Sequence, residues 1–450
     1  MIGTTAEFRI TTETLPPRGG GQGGGAATNA MMPSRPAPPE LHVPDMADAR
    51  LVPRDAAEVR EMVAAAAAAG TPLEVLGHGS KRAIGRPLQT AATLDLSAFS
   101  GVVLYEPEEL VLSAKAGTPV AEIESLVASR GQELAFEPMD YGPLLGLEAG
   151  RGTVGGLLAA NLSGPRRIKA GAARDHVLGI SAVSGRGEAF KGGGRVVKNV
   201  TGYDLPRGLA GSWGTLAVFT EVTLKVLPAA ETETTLVLVG LDTAAAGRAM
   251  RAAMASPVDA SGAAHLPAAA AGAAGPLAGL GRSATLLRLE GIAPSVEDRA
   301  ARLAALLAPF GPAERLEAAT SRAAWRTVRD VIPLAADPSR VVWRVSVAPT
   351  AGPDVATAAI GGAGGRAILD WAGGLVWLAL DEPGDDGRAA LVRGAVKAAG
   401  GGHATLIRAP AELRARVPVF EPQPPALAAL SGRLKAQFDP MGVLNPGRMG

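Results

Sequence analysis

Pro72-Leu73-Glu74-Val75-Leu76-Gly77-His78-Gly79-Ser80-Lys81 is a short apolar run that breaks into a glycine turn. Leu73 to Leu76 has the length and composition of a strand. Gly77 and Gly79 permit a turn whose successive backbone N–H groups point the same way, because glycine accepts positive φ and leaves no Cβ between backbone and ligand. Upstream, Asp55 with Glu58 three residues on forms a capping box. Val59, Met62 and Val63 follow among alanines, and Gly70 stops the helix. Downstream the pattern repeats, with strand Leu110 to Lys115, Thr118 as N-cap, Pro119 at the first helical position, a helix to about Arg130, and Gly131 as its stop. Repetition of strand, glycine turn and helix predicts an α+β or α/β body.

With 450 residues the chain has room for two or three folding units. The hydrophobic fraction of 47% is largely alanine, and aromatics make up only 4%, so apolarity alone is a poor guide to the core. Lysine plus arginine number 44 against 43 acids, a net charge of +1, which offers no one-sided field for nucleic acid or an anionic membrane surface. Cysteine is absent, so disulfides, thiolate catalysis and cysteine-held iron–sulfur clusters are excluded within this sequence. His42, His78, His176, His265 and His403 show no i, i+3 or i, i+4 pairing, and no metal site is expected. No apolar run has the length of a membrane span and no signal peptide opens the sequence, so a cytoplasmic protein is expected.

Residues 1–44 are rich in proline and glycine and read as a disordered tail, and the Met31-Met32 pair leaves open whether residues 1–30 are translated. Glycine signals concentrate between 150 and 228, and an apolar strand from Thr220 to Val226 closes at Pro228, which marks a boundary. The expected division is a first domain over 45–228, a second α+β domain over 229–430, and a turn-dense segment over 431–450 that returns to the first. Strand-like pieces in the second domain are Thr235 to Val239, Val341 to Val347 and Leu375 to Leu380.

Gly150-Arg151-Gly152-Thr153-Val154-Gly155 matches G-x-G-x-x-G, with Asp175 at the distance of a ribose-binding acid. Ser163-Gly164-Pro165 cuts the following helix too short for a βαβ crossover, which argues against a nicotinamide site. The alternative is that Gly77 to Lys81 and Thr153 to Gly156 are two phosphate-cradling turns acting on one dinucleotide, against the plainer reading of tight structural turns.

Four segments, in order, carry a resemblance: 72–81, Thr153-Val154-Gly155-Gly156, Asp175-His176-Val177-Leu178-Gly179, and Gly211-Ser212-Trp213-Gly214-Thr215-Leu216-Ala217-Val218-Phe219-Thr220-Glu221-Val222. Together they resemble the FAD-binding domain shared by vanillyl-alcohol oxidase and p-cresol methylhydroxylase (PCMH). More narrowly, the runs 161–167 and 196–205, Gly402-His403-Ala404-Thr405, and the ending Asp439 to Arg448 resemble the E subunits of bacterial glycolate oxidases, over nearly everything beyond residue 45. The resemblance implies an α+β fold made of a two-lobed PCMH-type FAD-binding domain and an α+β cap.

It also implies roles. Gly77, Gly79 and Ser80 would bind the pyrophosphate of FAD through main-chain N–H groups, with His78 and Lys81 in the same loop, and Thr153, Gly155 and Gly156 near the diphosphate or ribitol. Pro138 to Tyr141 would line the flavin edge, with Asn161 nearby in the glycine-rich segment. Asp175, His176 and Val177 would lie by the isoalloxazine or ribityl region, Gly214, Thr215, Val218 and Thr220 near the adenine end, and Tyr203 close to the cofactor. His78 stands where the family usually carries glycine and narrows the loop; the tethering histidine of relatives lies elsewhere, so non-covalent FAD is expected. Arg166, Arg167, Lys169 and Arg174 form a basic run that reads as a solvated face, or as a source of one charge beside the flavin. His403, Arg344 and Arg408 are the candidates for holding a 2-hydroxy acid, since an arginine fork suits a carboxylate and a histidine suits proton abstraction.

The function so implied is the FAD-binding subunit of a complex that oxidises glycolate to glyoxylate, with a catalytic flavoprotein subunit and an iron–sulfur subunit as partners. The complex would be cytoplasmic, or peripheral to the inner membrane. A stand-alone D-lactate-type dehydrogenase and a non-catalytic flavin relay or structural subunit are the alternatives.

Overall fold

The computed structural model describes residues 49–196, 202–273 and 275–450. The expected tail and the Val197 to Thr201 portion of the 196–205 run lie outside the described residues.

The first helix, Ala56–Ala69, begins as its sequence requires. The Asp55 carboxylate accepts from Glu58 N at 2.9 Å, the Glu58 carboxylate accepts from Arg54 N at 2.7 Å, and Gly70 closes it at φ 64. It covers a small parallel sheet in the order Ala49–Leu51, Ala92–Asp95, Leu73–Leu76. Val59, Val63, Leu73 and Leu94 are fully buried between them. The second expected helix spans Val120–Ala128, with Pro119 at the N-cap position rather than the first turn. Thr118, one residue earlier, uses its hydroxyl on Lys115 O and Gly101 O instead of capping.

A five-stranded antiparallel sheet follows, in the order Val102–Glu106, Val111–Lys115, Ala217–Lys225, Val177–Ser184, Ala189–Gly193. Residues 232–408 build an eight-stranded antiparallel sheet. Its order is Ala313–Leu316, Thr232–Val239, Ala284–Gly291, Gly262–Leu266, Arg366–Asp370, Leu375–Leu380, Val341–Val347, Gly402–Arg408. The chain is thus an α+β protein.

The large sheet has two buried faces, and strand alternation decides what each carries. Along Val341–Val347, the odd-numbered Val341, Trp343, Val345 and Val347 pack into the core shared with the sheet's own helices. Even-numbered Val342 belongs with the core that runs into the five-stranded sheet. Arg344 and Ser346 share that second face by register, and so do His403, paired with Ser346, and Trp377, paired with Arg344. The face is pinned by Arg288, which is 1% exposed and reaches Glu137 with two bonds of 2.8 Å while lying 4.5 Å from the Trp325 ring.

The C-terminal residues end against the first small sheet. Leu73 N donates to Val443 O at 2.7 Å, and Asn445 N donates to Leu73 O at 2.9 Å.

Candidate functional site

The strand Leu73–Leu76 delivers Gly77 to Lys81 against the start of the short helix Val154–Ala160. A Cβ on Gly77 would fall 2.7 Å from the Thr153 hydroxyl oxygen, and one on Gly155 would fall 2.9 Å from Ala116 O. Glycine at 77 lets the two loops approach each other, and glycine at 155 lets the second loop pack on Ala116. Gly79 adopts φ 73, open to L-residues only with strain. Thr153 caps the helix, its hydroxyl accepting from Gly156 N at 3.3 Å. That helix has seven residues and ends at Asn161 in the left-handed region, so the G-x-G-x-x-G match opens no βαβ crossover.

Lys81 supplies the charge of this cradle. Its ammonium donates to the buried Ser80 hydroxyl at 3.1 Å and lies over Gly156, where an added Cβ would sit 3.2 Å from Nζ. No carboxylate among the described residues lies within 4.0 Å of it. Burial pushes its pKa down to about 8, with Asp140 opposing from a distance. An unpaired buried cation between two glycine turns fits a diphosphate, which would supply the missing anion.

The cleft around these loops encloses about 730 Å³ of empty space, part of it open to solvent. Beyond the cradle its walls turn apolar, with Leu96, Ala159, Trp213, Ala217 and Phe219. Two C-terminal residues complete it. Asn445 accepts from Val75 N at 2.8 Å and donates to Trp213 O at 3.0 Å and Gly214 O at 3.4 Å, so one side chain ties the strand before the glycine turn to the far wall. Arg448 donates to Ile84 O at 2.9 Å behind the loop. Neither stood among the site residues read from sequence, although the turn-dense ending was the signal for them.

Of the residues expected at the cofactor, Gly77, His78, Gly79, Ser80, Lys81, Thr153, Gly155, Gly156 and Gly214 line this cleft. The others do not. Pro138 is buried, and Asn161 accepts from Arg174 N at 3.0 Å. The Asp175 carboxylate accepts from Ala172 N at 2.9 Å. His176 is buried, 5.1 Å from the Phe136 ring, with Nε2 2.8 Å from Ala170 O, and does not line this cleft. Val177, Val218 and Thr220 are buried, the Thr215 hydroxyl donates to Ser212 O at 2.7 Å, and Tyr203 is 74% exposed.

A second cluster forms on the cofactor-side face of the large sheet. Arg344 lies 5.1 Å from the Trp371 ring and 5.8 Å from the Trp377 ring, and Arg167 lies 4.5 Å from the same Trp371. Tyr141 meets Trp377 edge-on at 6.2 Å. Neither arginine has a carboxylate within 4.0 Å among the described residues. His403 is solvent-exposed at the start of the edge strand, and partial desolvation, followed by the positive charge of Arg344, lowers its pKa.

The rest of the basic run is occupied. Arg166 is held by Glu133, Glu137 and Glu290, Lys169 pairs with Asp259, and Arg174 faces Asp175. Arg408 is withdrawn from the substrate role. Its guanidinium donates to four backbone carbonyls, those of Arg340, Leu144, Leu334 and Asp337, and so has no fork left for a carboxylate.

The FAD binding domain family matches residues 47–193. The glycolate oxidase subunit GlcE of Escherichia coli K12 is 35% identical over 84% of this chain and 93% of its own length. The glycolate oxidase subunit GlcD of Bacillus subtilis is 30% identical, over 42% of this chain and 39% of that protein. Among solved structures, p-cresol methylhydroxylase with substrate bound shares the fold at a TM-score of 0.66 and 12% identity, over 89% of this chain and 88% of the other. FAD is the cofactor these likenesses carry, and the cradle of Gly77 to Lys81 and Thr153 to Gly156 has the chemistry to hold it.

Proposed function

The chain belongs to the family of the glycolate oxidase subunit GlcE, and on that premise we propose that it is the FAD-carrying subunit of a complex that oxidises glycolate to glyoxylate. Residues 45–228 form the PCMH-type FAD-binding domain in this reading, 229–430 the cap, and 431–450 the segment that returns to the cradle. FAD is bound without a covalent link and supplies, when bound, the capacity to accept the electrons released at a CH–OH carbon. The observation that carries the substrate assignment is the pair of guanidinium groups, Arg167 and Arg344, set against Trp371 with no carboxylate within 4.0 Å among the described residues.

Two unpaired arginines on one indole are a receptor for a small carboxylate, because a desolvated cation gains most from an anion that can take its hydrogen bonds. Arg344 belongs to the large sheet and Arg167 to the segment after the flavin-domain helix, so a carboxylate held by both would be fixed in orientation. His403, on the same face by register, accepts the hydroxyl proton of the substrate. Trp371, Trp377 and Tyr141 are themselves buried and form an apolar wall beside Arg344. A cluster-bearing partner subunit takes the electrons onward, and the absence of cysteine in this sequence supports placing the iron–sulfur centre elsewhere. Among the described residues no helix is long and apolar enough to cross a membrane, which supports a cytoplasmic or peripheral complex.

The test is titration of the FAD-loaded chain with oxalate, a carboxylate that cannot be oxidised at a carbinol, followed by the flavin spectrum. Wild type should show a saturable perturbation, and Arg344→Met should weaken it by roughly tenfold to a hundredfold. Equal affinities would remove Arg344 from the site.

A further inference from the structure

The helix Pro425–Phe438 stands almost free of the body. Every residue from 422 to 434 is exposed, and no residue of the helix is buried. Its last turn alone is fastened: Lys435 reaches Thr215 O, Asp439 and Leu444 O, and Phe438 meets Phe190 at 5.8 Å. Fourteen residues are marginal for a helix without tertiary support. Leu427, Leu430 and Leu434 nonetheless recur at i, i+3 and i+7, 42–53% exposed, which is one apolar face with nothing on it. Beside the helix runs a groove of about 1710 Å³, part of it open to solvent, lined by Leu216, Val417, Val419, Phe420 and Met449.

Charge decides what can cover this surface. Arg416 and Arg433 are exposed, and among the described residues neither has a carboxylate within 4.0 Å. Arg86 at the groove's edge is also without an acid. The groove's one acidic wall residue, Glu421, is already held by Arg393 and Ala404 N. A second copy of this chain would bring like charges together, which costs affinity. The groove also borders the cofactor cleft, since its Phe420 meets Trp213, a wall residue of that cleft, edge-on at 5.5 Å.

We propose that the helix Pro425–Phe438 and its groove are the docking face for a different subunit of the complex, one that offers an apolar channel rimmed by carboxylates. The three leucines act as anchors in the helix-in-groove manner and the arginines set orientation. This assignment rests on the reading of the chain as a subunit.

The experiment co-expresses the full tagged chain with a GlcD-type subunit and an iron–sulfur subunit. Wild type is compared with the triple variant Leu427→Ser, Leu430→Ser, Leu434→Ser and with the double variant Arg416→Glu, Arg433→Glu. Size-exclusion profiles, FAD content and melting temperature are read together. The expected result is a wild-type complex, a triple variant that elutes alone with full FAD content and unchanged melting temperature, and a double variant weakened at least roughly tenfold. A triple variant that assembles like wild type overturns the proposed face. So does a wild-type homodimer that the same leucine substitutions abolish, because the face would then serve self-association. Failure of the wild type to assemble with either subunit counts against the subunit reading itself, and is told apart by appearing before any substitution is made.

Discussion

Replacing Lys81 by methionine should move cofactor affinity and apoprotein stability in opposite directions. The ammonium lies between the two glycine turns with no carboxylate within 4.0 Å among the described residues, and its pKa there is about 8, against about 10.4 for a free lysine. Folding therefore carries a penalty of about 3 kcal/mol while the group is charged. The unfolded chain binds more protons than the folded one between pH 8 and about 10.4, so apoprotein stability rises through that window, and the full penalty applies below it. The diphosphate of FAD removes the penalty by pairing with the charge. Below pH 8, where Lys81 is already protonated, FAD affinity should not vary with pH through this group. Above pH 8 binding must take up a proton, and Kd should rise by up to about tenfold per pH unit. Lys81→Met should bind FAD roughly a hundredfold more weakly at pH 7, lose the alkaline slope, and melt higher than wild-type apoprotein. Fluorescence quenching titrations with FAD and with riboflavin, which has no phosphate, measure this directly, and only the FAD values should change. A variant that binds FAD within threefold of wild type, with the same pH dependence, would refute the ionic role.

Asn445→Ala removes one acceptor and two donor contacts joining Val75, Trp213 and Gly214; it should cost about 2–3 kcal/mol in urea unfolding and lower FAD affinity. Asp370 is pushed up to about 7 by burial, so the folded chain holds its proton longer than the unfolded one, and stability falls as pH rises from about 4 to 7. Asp370→Asn keeps the bond from Trp371 N and should flatten that slope, stabilising the chain at pH 8 by about 4 kcal/mol with no gain at pH 4; an unchanged melting temperature at pH 8 would contradict this. Arg408→Met leaves four carbonyls without their donor and should lower the melting temperature sharply, while KM for glycolate in the assembled complex stays the same.

Local chemistry made the cradle legible. Gly77, Gly79, Gly155 and Gly156 announce loops that tolerate close approach, and the structure brings them within contact of one another. The strand Leu73–Leu76 and the helix Ala56–Ala69 were equally readable, since a capping aspartate and a stop glycine mark a helix without help from tertiary structure. Long-range placement was not legible. Arg344 and Arg408 look alike as isolated arginines in strands, but strand alternation aims one at Trp371 and Trp377 while the other is consumed by carbonyls of residues 144 and 334–340. Arg167 was hidden in a basic run in which Arg166 and Lys169 are neutralised by Glu133, Glu137, Glu290 and Asp259, distant partners that no local spacing reveals. His176 followed a family segment correctly in order, yet its ring faces the core because the strand Val177–Ser184 begins one residue later. Asn445 lies 370 residues from the backbone amide it serves, a distance across which only folding makes the contact.

The measurement that tests the central claim most directly is the absorbance spectrum of the purified chain before and after acid precipitation, repeated after anaerobic addition of glycolate. Oxidised-flavin bands that leave with the acid supernatant, at one FAD per chain, are the predicted result. Bleaching by glycolate without partners would place the whole oxidation on this chain, and persistence of the bands would place it in the complex. A colourless chain that takes up no added FAD would contradict the account.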